Sequence, residues 1–186
     1  YTNGYELTVT GNTDVNGTLD ATSDGEDGGA SPSVLTFGGD LDFTGGTFVR
    51  DDSTLIFNGT TALTSNGQTL NIVQIDSSAG NATLTTADTI RITGTLTVPS
   101  ALNTATLDIA DDTLFVGGGL NLTNLDTFTV TDSTVTLNGT LAQTVTTAGK
   151  TYNELAVTNT AGVTFADAFT TSDLTAVTAD AHLYFE

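Results

Sequence analysis

The segment Asp52-Ser53-Thr54-Leu55-Ile56-Phe57-Asn58-Gly59-Thr60 returns later in the chain, barely altered, as Asp132-Ser133-Thr134-Val135-Thr136-Leu137-Asn138-Gly139-Thr140. The match extends upstream, where Leu35-Thr36-Phe37-Gly38-Gly39 aligns with Leu114-Phe115-Val116-Gly117-Gly118, and downstream, where Gly67-Gln68-Thr69-Leu70-Asn71 aligns with Gly149-Lys150-Thr151-Tyr152-Asn153. Further out the offset drifts, which places small insertions in loops. Two copies, roughly residues 5–90 and 91–177, therefore account for most of the chain, with 178–186 as a terminal strand. A long period with drifting loops is the mark of stacked or tandem modules.

Strand signals fill both copies. Apolar and Thr residues alternate in Glu6-Leu7-Thr8-Val9-Thr10, Ile90-Arg91-Ile92-Thr93 and Thr134-Val135-Thr136-Leu137. Period-two alternation with a β-branched bias predicts strands with one buried and one wet face. The Gly-Gly, Asn-Gly and Asp-Gly steps between them read as turns that tolerate positive φ. No window shows the helical stripe of an amphipathic helix, so the fold class is all-β. Two architectures fit: one elongated parallel β-solenoid over residues 1–186, with about three short strands per coil of about 20–25 residues, or two tandem β-sandwich domains. The chain has no Trp, and its nine Phe and four Tyr offer few large anchors for two sandwich cores. Small aliphatic ladders favour the solenoid.

Charge narrows the function. Three Lys and Arg stand against 22 Asp and Glu, a net charge of −19. Such a surface repels nucleic acid and anionic lipid, and no stretch reaches the ~20 apolar residues of a membrane helix. Without Cys there are no disulfides and no thiolate chemistry. His182 is the sole His and no Gly-x-Ser-x-Gly elbow accompanies it. Asp40 and Asp42 are spaced to share one strand face, yet copy two has Gly119 and Asn121 there. The expectation is that the chain is not an enzyme. Calcium is the one cofactor the residues suggest, through Asp24, Glu26 and Asp27 in a Gly-rich loop. The doublets Asp51-Asp52 and Asp111-Asp112 read as turn residues. Five Asn-x-Ser/Thr sequons, at Asn16, Asn58, Asn81, Asn121 and Asn138, are candidate glycosylation sites.

Runs such as Leu7-Thr8-Val9-Thr10-Gly11, Val15-Asn16-Gly17-Thr18-Leu19, Phe57-Asn58-Gly59-Thr60 and Gly94-Thr95-Leu96-Thr97-Val98 resemble the Thr/Gly/Asn-rich repeats of large secreted bacterial adhesins, of the filamentous haemagglutinin-like and autotransporter passenger kind. The resemblance implies a right-handed β-helix, an extracellular or cell-surface location, a structural or adhesive role, and no catalytic residue. The strand-like ends, with Tyr1 and Tyr5 at one and Leu183, Tyr184 and Phe185 at the other, predict head-to-tail association of copies; they also fit the cut ends of a longer polypeptide. A surface receptor or glycan is the other partner expected. Alternatives in function are a carbohydrate-binding module and a β-helical polysaccharide-cleaving enzyme.

Overall fold

The computed structural model describes residues 6–22, 32–175 and 181–186. It is a right-handed parallel β-solenoid with no helix among the described residues. The first turn carries β1 (Glu6–Val9), β2 (Thr13–Asp14) and β3 (Thr18–Asp20); the second β4 (Val34–Phe37), β5 (Leu41–Asp42) and β6 (Thr47–Val49). The third has β7 (Thr54–Phe57), β8 (Thr60–Thr64) and β9 (Thr69–Leu70), and the fourth β10 (Ile72–Ile75), β11 (Ala82–Thr86) and β12 (Ile90–Ile92). Next come β13 (Leu96–Thr97), β14 (Ala105–Asp108) and β15 (Thr113–Val116), then β16 (Leu120–Asn121), β17 (Thr127–Thr129) and β18 (Thr134–Leu137). Two-strand turns follow, β19 (Gln143–Thr146) with β20 (Thr151–Val157) and β21 (Val163–Phe165) with β22 (Thr170–Thr175), before β23 (Leu183–Phe185).

These strands stack into three faces. The first is a nine-stranded sheet from β1 to β23. The second runs from β2 to β17, and the third is split into β3–β6 and a six-stranded sheet from β9 to β22. The pairings on all three faces are parallel. Turn length varies along the column: the path from Thr54 to its partner Ile72 is short, and that from Thr18 to its partner Thr47 is long.

Alternation decides which side chains enter. On the first face Leu7, Leu35, Leu55, Val73, Leu96, Leu120, Val145, Phe165 and Phe185 are successive partners, an unbroken apolar column. Phe37 and Phe57 stack beside it with ring centroids 6.3 Å apart. On the third face Leu70, Ile92, Val116, Leu137 and Val157 repeat the pattern. Outside, Thr60, Thr83, Thr106 and Thr127 form a hydroxyl ladder on the second face. Strand spacing of about 4.8 Å keeps like residues in contact from coil to coil.

The second face ends at β17, and buried amides mark the change from three-strand to two-strand turns. Gln143 Nε2 donates to the carbonyls of Val116 (2.9 Å) and Gly118 (2.6 Å), while its Oε1 accepts from the Gly139 N–H (2.9 Å) and from Asn159 Nδ2 (2.8 Å). Beyond this point aromatic rings join Val145, Leu155, Val157 and Val163 in the core. Tyr152 meets Phe128 and Phe169 edge-on, and Phe165 packs 4.5 Å from Phe169.

Two sequence expectations meet a different physical reason. Asn58-Gly59 and Asn138-Gly139 are not positive-φ turns; among the Asn-Gly steps described, Asn66-Gly67 alone has that geometry. Glycine stands at 59 and 139 because a Cβ would run into the carbonyl of Gly38 or Gly117 on the preceding coil. The duplicated segments both form a strand behind a turn, but β7 lies on the first face and β18 on the third. Leu55 and Phe57 on β7 and Val135 and Leu137 on β18 all point inward, so one strand sequence serves either face, although Thr136 is also buried on the third.

Candidate functional site

Arg91 and Phe115 are direct partners on neighbouring strands of the third face, both at outward positions. That register brings the guanidinium carbon to 4.1 Å from the ring centroid. The cation–π contact is worth about 0.5–1 kcal/mol at an exposed site, and it pins a side chain that would otherwise sweep through solvent. Arg50 donates to the Asp51 carbonyl (3.4 Å) and Lys150 to the Asp126 carbonyl (3.1 Å). The Arg91 guanidinium meets no acceptor among the described residues.

Beside it lies a recess of about 260 Å³, with Thr69, Thr93, Asn138 and Thr140 on its walls and Gly117 and Gly139 in its floor. The glycines that allow close coil approach also leave this stretch of sheet bare of side chains. Thr93 Oγ1 is engaged, donating to the Leu70 carbonyl at 3.2 Å. The Asn138 amide and the Thr69 and Thr140 hydroxyls have no partner among the described residues, so they join Arg91 as open hydrogen-bonding groups. A second, more open depression of about 440 Å³ adjoins Phe128 and Tyr152 but holds no cation. Burial, reinforced by the charge of Asp167, holds the Tyr152 phenol above its ordinary range and protonated.

Some carboxylates tie neighbouring coils together and others close local turns. Asp40 accepts from the Ala62 N–H (2.8 Å) and from Asn12 Nδ2 (3.1 Å). Asp42 accepts from the Thr44 hydroxyl (2.5 Å) and N–H (2.7 Å), which holds its carboxyl below the usual range. Asp51 and Asp111 are turn residues with φ of 40° and 65°. The calcium loop Asp24, Glu26 and Asp27 lies outside the described residues, as do Tyr1 and Tyr5. Among the described residues no three His, Asp or Glu converge in a way that could hold a metal.

One carboxylate device occurs twice. Asp88 accepts from the main-chain N–H groups of Ser65 (2.9 Å) and Asn66 (2.5 Å), and Asp167 accepts from those of Thr147 (2.7 Å) and Ala148 (2.6 Å). Each thereby clamps a tight turn on the preceding coil, with both central residues at positive φ. Burial pushes the Asp167 carboxyl up, but the Thr147 hydroxyl and the two N–H donors outweigh it, and the net shift is down. A depressed folded-state value contributes stability above the ordinary value of 3.8 that is lost as pH falls through the folded one. Asp167→Asn therefore lowers Tm at pH 7 by about 2–4 °C, a loss near 1 kcal/mol for a partly solvated group. In calorimetry at descending pH, the gap between variant and parent closes below the ordinary Asp range.

The sequons are accessible. Asn16, Asn81, Asn121 and Asn138 are exposed and Asn58 half-buried. Asn121 Oδ1 already accepts from the Thr123 hydroxyl at 2.7 Å, and Asn81 Oδ1 from the Thr104 N–H at 3.2 Å. At the end of the first face, Leu183 is half-buried, while Tyr184 and Phe185 are 54% and 67% exposed. Phe185 stacks on Phe165 at 5.6 Å. His182 is exposed and lies near the Tyr184 ring, 6.3 Å between centroids.

No family model matches the chain, and no curated protein or solved structure matches it. The recess escaped the sequence reading. The alternation Ile90-Arg91-Ile92 marks Arg91 as outward, but its partner sits on the following coil, and only the coil register brings the two together.

Proposed function

We propose that the chain is an extracellular structural and adhesive protein, a repeat module or subunit of a cell-surface filament that assembles end to end with copies of itself. The observation that carries this reading is the state of the column's two edges. β1 and β23 each pair on one side only among the described residues, and the apolar column runs out to Leu7, 38% exposed, and Phe185. Strand edges with apolar inner faces are templates for a further strand. The resemblance to secreted adhesin repeats and the Thr-covered acidic exterior support placement outside the cell. The occupied states of Asp40 and Asp42 support a mechanical rather than a catalytic role for those carboxylates.

Electron microscopy over a concentration series tests the assembly. Rods of constant width, lengthening as protein concentration rises, are the expected result. Salt promotes their growth, because each copy carries a net charge of −19 and screening weakens the repulsion between copies. Phe185→Asp, which puts a charge into the exposed edge, abolishes the rods. Particles that stay monomeric at every concentration and salt overturn end-to-end assembly.

A further inference from the structure

From the recess beside Arg91 we infer that this protein binds a singly charged, carboxylate-bearing sugar unit, such as a uronic acid residue of a surface polysaccharide. The inference deepens the adhesive reading and rests on it for biological context; the site itself exists in each chain.

The charge of the ligand follows from the count of cations. One guanidinium serves the recess, and its fork of N–H donors matches a carboxylate in bidentate fashion. Phosphate carries about −1.5 to −2 at neutral pH and is met by clusters of Arg. Here the other two cations are Arg50 and Lys150, neither of which lines the recess. An extended polyanion would meet the field of the whole acidic surface. A single charge seated at Arg91 is governed by neighbours within about 8 Å, the physiological Debye length.

The rest of the ligand follows from the neutral groups. The Asn138 amide and the hydroxyls of Thr69 and Thr140 offer both donors and acceptors around one small space, as a ring bearing several hydroxyls requires. A recess of about 260 Å³ holds the volume of roughly eight waters, enough for one such ring. A peptide carboxylate fits less well. The strands beneath are already paired on both sides, so no main-chain edge is open there to an extended peptide. The Phe115 ring already holds the guanidinium, which lowers the ordering cost of binding.

Heteronuclear NMR titration of the intact chain tests the proposal, with methyl glucuronoside, methyl glucoside, acetate and inorganic phosphate as the four probes. The uronoside saturates shifts at Thr69, Arg91 and Asn138 in the millimolar range, and each other probe binds at least about tenfold more weakly. Arg91→Gln, a change at an exposed position, loses about tenfold or more in binding while Tm falls by no more than about 1–4 °C, the loss of the contact with Phe115, and Arg91→Lys recovers only part of the binding loss because an ammonium cannot present the fork. Arg50→Gln binds as the parent does. The proposal is overturned by absence of a saturable uronoside shift, by equal binding of methyl glucoside, acetate or phosphate, or by an Arg91→Gln protein that binds as tightly as the parent. Uronoside binding without rods sinks the assembly and leaves this site standing; rods without uronoside binding do the reverse.

Discussion

Phe57→Ala destabilises the protein by about 3–5 kcal/mol, the range for emptying a buried aromatic position. Phe57 is fully buried on β7, with Phe37 before it and Ile75 after it in the same inward column. A solenoid coil touches only its two neighbours, so the wall around the lost ring has few directions from which to collapse. At about 2–4 °C per kcal/mol for a chain of this size, Tm falls by roughly 10 °C. Phe57→Leu costs far less, since an aliphatic side chain already serves the equivalent inward site at Ile75. Urea melts of the two variants check the order, and hydrogen exchange shows the added opening centred on β4, β7 and β10. An alanine variant within about 1 kcal/mol of the parent would mean that the column is not packed at this level.

Gln143→Leu has an effect of similar size for a different reason. The substitution preserves most of the shape but leaves the Gly118 carbonyl and the Gly139 N–H without partners, while the Val116 carbonyl keeps the Asn138 N–H and the Asn159 amide keeps the Leu141 carbonyl. Each of the two orphaned groups costs about 1–3 kcal/mol, and the bonds lost at Val116 and Asn159 bring the expected total to about 3–5 kcal/mol. Gln143→Glu does no better, because its second oxygen would face the two carbonyls. Failure of this isosteric change separates hydrogen bonding from packing. Combining Gln143→Leu with Asn159→Leu costs less than the sum of the two single changes, since both belong to one network. Denaturant melts of the four proteins complete the cycle.

Much of the fold was legible in the chain because alternation is a local signal. Each stretch of Thr and aliphatic residues announces a strand and its inward side, and Leu35, Leu55 and Leu96 all point as that rule requires. Thr61, Thr86 and Thr136 break it: all three are buried. Thr86 is satisfied by Asp112 Oδ2 at 2.6 Å, whereas Thr61 Oγ1 has no partner among the described residues. What alternation does not carry is register between coils, which depends on loop lengths. Unequal turns hid the meeting of Arg91 with Phe115 and the stacking of Gly59 on Gly38. The long-range duplication was plain, but the match between β7 and β18 does not preserve the face. Gln143 and Asn159 looked like ordinary polar residues, since nothing local says that the second face stops beside them.

Because all the strands run the same way, the molecule has a direction, and its two extremities are chemically unlike. A twofold axis between copies would set β1 against another β1, with chains opposed, and would break the pattern of slanted parallel bonds. Only translation along the axis extends it. Any polymer built on this plan is therefore an arrow rather than a symmetric rod, with unlike tips and with every Arg91 held in the same orientation relative to its direction.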